Sequence, residues 1–355
     1  MTDVIVVGAG LAGLAAAYDA RRMGADVVVL ESEHRPGGVV VTEHVAGGWV
    51  VEGGPDSFLP GDGTVAAVAA ELGIADRIVR QSTHGAAVWT GQALQPLSEG
   101  DAAALLGIQA KPEDLKVEHM SFAAGMTELV DALAAAVGPF LRLRVGVSGV
   151  SPTRDGFRLS VTGGSTVSGS TLILALPAWR AAQLLRGLEP HAADALGAIR
   201  YSPSLTVSLA YRADQVGVPI GGTGFVVQQT AAGAQDVAPL LRACTYASLK
   251  FPGRAPAGHV LIRAFIAEPS GSPAEAAHQS LAPILRLSGE PLWSRTYAWP
   301  RGIPFYSPDH QATVANARRR LAGLGNLVLA GAGYDGAGVG ACVRSGREAG
   351  GSMRS

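Results

Sequence analysis

Residues 4–31 read VIVVGAGLAGLAAAYDARRMGADVVVLE. Val4 to Val7 is a short apolar run of β-branched residues, the pattern of a strand buried on both faces. Gly8-Ala9-Gly10-Leu11-Ala12-Gly13 follows with the G-x-G-x-x-G spacing. The Ala-rich segment from Leu11 to Met23 reads as a helix ended by Gly24. Val27 to Leu30 is a second apolar strand, with Glu31 at its carboxyl end. Each residue type has a physical job here. Gly8 permits the tight turn, Gly10 lets a pyrophosphate approach the backbone, and Gly13 lets the helix pack close to the sheet. The helix N-terminus offers unpaired N–H groups and a positive dipole end. Glu31 can accept hydrogen bonds from the ribose of an adenosine, and its charge would repel a 2′-phosphate. The hexamer alone could equally be an ordinary glycine-rich turn. Two strands, a helix and an acid in register decide for the cradle.

The chain has 355 residues, a length that suggests about two domains at ~150 residues each. Its formal net charge of −1 gives no sign of a nucleic-acid partner. The lysines are Lys111, Lys116 and Lys250; every other basic side chain that is not histidine is arginine. Cys244 and Cys342 have no C-x-x-C or metal spacing, so no metal site is expected, and two free thiols fit a reducing cytoplasm. No signal peptide precedes the first strand, and no apolar run reaches the ~20 residues that span a bilayer. Membrane-surface contact is left open.

Past Glu31, the run Ser32-Glu33-His34-Arg35-Pro36-Gly37-Gly38 brings a second glycine pair close to the ribose acid. Arg35 is placed to neutralise a phosphate. Gly53-Gly54-Pro55-Asp56-Ser57 is another small-residue turn, which alone reads equally as a surface turn. Helices are expected over 64–73, 121–137 with Thr127 as an N-cap, 178–188, 274–287 and 341–349. Strands are expected over 86–89, 93–97, 141–150, 157–161, 172–176, 205–211, 224–228, 243–248, 260–267 and 327–330. Glu99 to Glu118 has no clear period. The last strand, Leu327 to Ala330, runs into Gly331-Ala332-Gly333-Tyr334-Asp335-Gly336-Ala337-Gly338-Val339-Gly340. Two strand–glycine loop–helix units thus stand at opposite ends of the chain. One dinucleotide needs one pyrophosphate cradle, so the second unit holds another part of the same long cofactor. FAD fits better than NAD, because its flavin lies far from its adenine and a helix N-terminus stabilises a reduced ring. A purely structural corner closing the sheet is the competing reading.

With these residues in view, the chain resembles the flavin amine oxidase superfamily, and within it the protoporphyrinogen/coproporphyrinogen oxidases. VVGAGLAGLAAAY (6–18), LESEHRPGG (30–38), GPDSFLP (54–60), FAAGMTELVDAL (122–133) and LALPAW (174–179) carry the resemblance in the first half. KFPGRAP (250–256), HVLIRAF (259–265), WPRGIPFYSPDH (299–310) and LAGAGYDGAGVGACVRSGREA (329–349) carry it in the second. Three departures stand out. About twenty residues, Glu99 to Glu118, replace the family's long helical insert, which forms much of its substrate pocket and membrane-facing surface. Phe305 stands where a polar residue is usual, and Gly340 where proline is usual.

The resemblance implies an α/β protein: a discontinuous Rossmann-like FAD-binding domain (1–60, 121–178 and 301–355) and a mixed, largely antiparallel substrate domain (61–120 and 179–300). It implies that Gly8, Gly10, Leu11, Ala12, Gly13 and Leu14 hold the pyrophosphate, and Glu31 with Ser32 the ribose. Arg35, Gly37 and Gly38 would pass along the FAD, and the Val147 backbone would pair with the adenine. Gly53, Gly54, Pro55, Asp56, Ser57, Ala175 and Trp299 would approach the flavin; Gly331, Asp335, Gly338 and Val339 would close over it. The FAD is expected to be non-covalent. No catalytic residue is assigned; Trp299, Tyr306 and Arg301 are the candidates. His310 reads first as a surface or capping residue. Arg254, Arg263 and Arg301 are candidate anchors for substrate carboxylates, and Arg318-Arg319-Arg320 is the solvated face of a helix. The implied activity is hydride removal from a substrate C–H with dioxygen as acceptor, the substrate being a small molecule such as a porphyrinogen. The alternatives are an amine oxidase or desaturase acting on a smaller metabolite, and a non-catalytic FAD-binding relative.

Overall fold

The computed structural model describes residues 2–61, 63–105, 118–228 and 238–352. Most of the Glu99–Glu118 segment, with Lys111 and Lys116, lies outside the described residues. Two seven-stranded sheets organise the rest.

The first sheet has the order Val147–Thr153, Gly156–Val161, Thr166–Leu174, Thr2–Val7, Val27–Leu30, Leu141–Arg142, with Leu327–Leu329 also pairing along Thr166–Leu174. Thr2–Val7 is parallel to both of its neighbours, and Leu327–Leu329 is parallel to Thr166–Leu174. Val4 and Val6 pack into one apolar cluster, Ile5 and Val7 into another on the opposite face. This two-sided burial is what an unbroken apolar run is built for. The helix Leu11–Arg22 and the C-terminal helix Val339–Gly351 cover one face. Helices Ala178–Leu185, Pro190–Gly197 and His310–Leu321 cover the other.

The second sheet runs Trp293–Pro304, Tyr201–Arg212, His259–Ile266, Leu241–Tyr246, Gly224–Val227, Ala86–Trp89, Leu94–Leu97. Its pairs are antiparallel except Gly224–Val227 with Ala86–Trp89, which is parallel. No helix among the described residues is long and apolar enough to cross a membrane.

Several expectations need correction. Residues 179–199, expected on the substrate side, pack into the core under the first sheet, because Ala181, Leu185, Ala192 and Leu196 bury there. The division expected at 300/301 falls inside the strand Trp293–Pro304 of the second sheet. Thr127 is the first helical residue rather than the cap, which is Met126. The predicted 178–188 helix ends at Leu185, and Pro190 starts a new one capped by the Glu189 side chain. Strand 243–248 gives way after Tyr246 to the short helix Ala247–Lys250.

The two long helices on the first face touch through small residues. A Cβ on Gly346 would collide with the Ala12 carbonyl oxygen, and one on Gly350 with that of Ala16. Only hydrogen atoms fit between these backbones. Gly346→Ala is therefore expected to cost about 1–3 kcal/mol through overpacking and to lower Tm by several degrees. Thermal unfolding checks it; an unchanged Tm would show that the helices separate freely.

Candidate active site

The parallel register places four chain exits side by side. Val7 pairs with Leu174 and with Leu30, and Leu174 pairs with Leu329. Gly8, Glu31, Ala175 and Ala330–Gly331 therefore leave the sheet at one edge, the crevice where open α/β sheets take their ligands. Gly8 makes its turn at φ +101°, and a Cβ there would strike the Ala175 carbonyl. Gly13 packs directly over Gly8, as its spacing predicts. Apart from its chain neighbours, no described residue comes within 4 Å of the Cβ position of Gly10, and the helix after it has neither a side-chain cap nor an acid in its first turn. Open space in front of uncapped amides fits a phosphate group. The C-terminal glycine loop abuts the same helix: a Cβ on Gly331 would lie 3.4 Å from Ala12 Cβ.

Glu31 is buried beside the cradle. One carboxylate oxygen accepts from Ala9 N at 2.7 Å, the other from Glu33 N at 2.9 Å and Ser32 Oγ at 3.2 Å. The Arg35-Pro36-Gly37-Gly38 turn docks on the cradle through Gly37 N to Ala9 O, 2.8 Å. Arg35 donates to the carbonyls of Pro36, Gly38 and Val40, so in this structure it shapes the turn. Val147 opens the edge strand Val147–Thr153. Asp335 accepts from Arg318 at 2.8 Å and from Ser345 Oγ at 2.6 Å, while Ser345 Oγ accepts from Gly331 N; the carboxylate thus braces the C-terminal loop. Arg318, Arg319 and Arg320 are all exposed, as expected of a solvated helix face, and Arg318 also tethers the loop from there. Gly338 caps the helix that begins at Val339, again without a side-chain cap.

The second small-residue turn joins the two sheets. Trp299 Nε1 donates to Gly53 O at 2.8 Å, and a Cβ on Gly54 would collide with Val39 O. Pro55 leads into Asp56, whose carboxylate takes Lys250 Nζ at 3.0 and 3.2 Å. Burial pushes the Asp56 carboxyl up, but Lys250 and Arg263 outweigh it and hold it below the usual carboxylate range. Glu52 lies in the same buried cluster, 3.8 Å from Arg254. Burial pushes its carboxyl up to about 7, against the Thr42 hydrogen bond and the Arg254 charge.

A cavity of about 570 Å³ opens against the second sheet. Phe225, Val226, Phe265 and Ile303 line it with His119, Lys250 and, from the helix Glu99–Leu105, Glu99 and Leu105. Trp299, Tyr306 and Arg301 are not among its lining residues. Tyr306 donates to Ala332 O at 2.7 Å, and Arg301 lies 4.7 Å from the Trp179 ring. Arg254 and Arg263 are only 2% and 6% exposed. Arg254 donates to the carbonyls of Phe122 and Ala123 and to Ser121 Oγ, and Arg263 to Thr206 Oγ1. Both belong to the framework, which corrects their reading as substrate anchors. His310 is likewise buried, its ring 4.6 Å from that of Tyr306. Sequence reasoning missed His119 and Lys250. Lys250 carried a usable signal, as the one lysine outside the aperiodic segment; His119 sits at that segment's end and carried none.

The raised Glu52 carboxyl makes stability depend on pH. Between pH 4.5 and about 7 the folded chain keeps a proton that the unfolded chain has released, so stability falls as pH rises through that window. Glu52→Gln should flatten this part of the profile. Urea unfolding at pH 5 and 8 checks it; an equal slope in both proteins would assign the pH dependence elsewhere.

Residues 111–350 match the model of the flavin containing amine oxidoreductase family, and residues 6–72 that of the NAD(P)-binding Rossmann-like domain. The chloroplastic protoporphyrinogen oxidase of Oryza sativa subsp. japonica is 24% identical over 469 aligned positions, covering 98% of this chain and 87% of the relative. Coproporphyrinogen III oxidase of Bacillus subtilis is 21% identical, covering 98% and 96%. Among solved structures, one from Exiguobacterium sp. 255-15 with a provisional protoporphyrinogen oxidase name superposes with a TM-score of 0.83 at 22% identity, covering 99% of this chain and 98% of that one. Cyclohexylamine oxidase from Brevibacterium oxydans reaches 0.76 at 15% identity, with the same coverage. The family match extends over more than half of the chain, so the protein belongs to the flavin containing amine oxidoreductases, and its cofactor is FAD.

Proposed function

We propose that this protein is an FAD-dependent oxidase that dehydrogenates a porphyrinogen in the 570 Å³ cavity and passes the electrons to dioxygen. The observation that carries the reading is the cavity itself. It is largely apolar, with a polar end at Lys250 and His119 beside the Asp56–Ser57 turn. Its size lies within the range of sites for flat organic ligands, and relatives of nearly full coverage bear porphyrinogen oxidase names. Gly8, Gly10 and Gly13 would hold the pyrophosphate and Glu31 the ribose, because the uncapped helix start and the buried acid suit those groups. The bound flavin supplies the hydride acceptor; the chain supplies position, dryness and charge. Cys342 donates its thiol toward Gly336 O at 3.6 Å, and burial, with the Asp335 charge, pushes it up to about 12. A thiol so reluctant to ionise supports non-covalent attachment.

A second reading, oxidation of a smaller metabolite, draws on the shortened 99–118 segment. The rice alignment spans 469 positions against the 355 residues here, so the relative carries stretches that this chain lacks. Leu105 and Ile303 on the cavity wall are about half exposed, 52% and 51%. An open mouth of this kind predicts weaker hold on a porphyrinogen and weaker membrane contact than a long helical wall provides.

Three measurements test these statements. Acid precipitation should release free FAD. On reconstitution, Glu31→Ala should bind FAD about 30-fold more weakly, corresponding to about 2 kcal/mol for a charge-assisted hydrogen bond; equal affinity would remove Glu31 from the ribose site. Anaerobic mixing with coproporphyrinogen III or protoporphyrinogen IX should bleach the flavin faster than putrescine or cyclohexylamine does. Bleaching by an amine alone would end the porphyrinogen reading and leave the oxidase.

A further inference from the structure

We propose that His119 is the proton acceptor of this oxidation, held in the required tautomer by Ser57 and the buried Asp56–Lys250 pair. The inference rests on the oxidase reading and goes beyond it by assigning a residue. His119 lines the cavity, and its Nδ1 lies 3.2 Å from Ser57 Oγ. Ser57 Oγ donates to Asp56 Oδ1 at 2.8 Å and accepts from Lys250 Nζ at 3.1 Å. The count of hydrogens sets the direction. Lys250 has only donors, the ionised Asp56 only acceptors, and Ser57 a single hydrogen. That hydrogen goes to Asp56, so Ser57 Oγ meets the imidazole as an acceptor and His119 carries its own hydrogen on Nδ1. Nε2 keeps its lone pair and has no partner among the described residues.

The chemistry needs such a group. Converting a C–H carbon beside, or conjugated with, an N–H into a double bond removes one hydride and one proton. The hydride leaves with the C–H electron pair for the flavin of this family. The N–H bond breaks, its electron pair enters the new π system, and its proton bonds to His119 Nε2. The charged groups that face the ring are Lys250 and Asp56 across Ser57 and Glu99 from the cavity-lining helix; Gln81 fixes its backbone through His119 N. Burial, with the Lys250 charge, pulls the imidazole below 6.5, against Asp56 and Glu99, so the ring is neutral and able to accept at pH 7.

The test uses the FAD-loaded protein, His119→Gln and Ser57→Ala. Anaerobic bleaching by coproporphyrinogen III is followed from pH 5 to 9. The wild-type rate should rise with pH below 6.5 and then level. His119→Gln should be about 100-fold slower and lack that rise, while Ser57→Ala should be slowed about tenfold and keep it. Coproporphyrin III, which cannot reduce flavin, should quench the fluorescence of wild type and His119→Gln with the same Kd, showing an intact cavity. Independently of any substrate, the 15N spectrum of the histidines should show His119 protonated on Nδ1. An unchanged pH profile in His119→Gln, or a hydrogen on Nε2, overturns the proposal and leaves the oxidase reading standing. If coproporphyrinogen III fails to bleach the wild type, the porphyrinogen reading falls, and the tautomer decides whether His119 keeps its assignment for another N–H substrate.

Discussion

Val7, Leu30, Leu174 and Leu329 stand level across the first sheet, and the rest of the molecule follows from that alignment. Parallel strands that end together release the backbone into one crevice. Uncapped amides, a buried acid and two glycine loops then meet within a few residues of the sheet edge. None of these features attracts a cofactor alone. A helix start without a cap is a minor instability, and a buried carboxylate is a cost unless something donates to it. Glu31 meets the second condition through the Ala9 and Glu33 amides, which also fix the loops that the dinucleotide would lie along.

Across the crevice, buried charges join the N-terminal segment to the second sheet beside an apolar cluster of Trp49, Val51, Ala210 and Leu261. Glu52 and Asp56 come from the N-terminal segment, Lys250, Arg254 and Arg263 from the second sheet and its connections. Removing one partner from such a group leaves another buried and unpaired, which is costly. The geometry also gives the cluster a use: Asp56 orients Lys250 and Ser57, and through Ser57 the ring of His119 at the cavity wall. The same turn receives the Trp299 indole, so framework and cavity wall share one hinge of sequence, Gly53 to Ser57.

Much of this was legible in the sequence. The apolar runs at Val4–Val7 and Leu172–Ala175 and the two glycine units name the sheet and its ligand edge, because local spacing determines turns and buried strands. What stayed hidden depends on tertiary partners. Arg254 and Arg263 look like substrate anchors in one dimension, and only burial against Phe122, Ala123 and Thr206 shows them to be structural. Asp335 reads as a cofactor contact, and only the folded chain shows that its carboxylate also braces the loop through Arg318 and Ser345. The second helix, Pro190–Gly197, goes unread in the sequence because the Glu189 cap that starts it is a side-chain event, invisible to periodicity. His119 gains its significance from Ser57, 62 residues away in the chain.

The order in which the first sheet is assembled has a bearing on biogenesis. Its central strand, Thr2–Val7, leaves the ribosome ahead of the sheet's other strands. Its neighbour Thr166–Leu174 arrives after well over a hundred further residues, and Leu327–Leu329 comes last of the seven. The Val339–Gly351 helix that packs on Leu11–Arg22 comes later still. Pairings of such sequence separation close slowly, and the half-made sheet exposes apolar edges while it waits. The nascent chain therefore emerges with its cradle written first and completed last, and the small second-sheet hairpins have time to form before the dinucleotide has a place to bind.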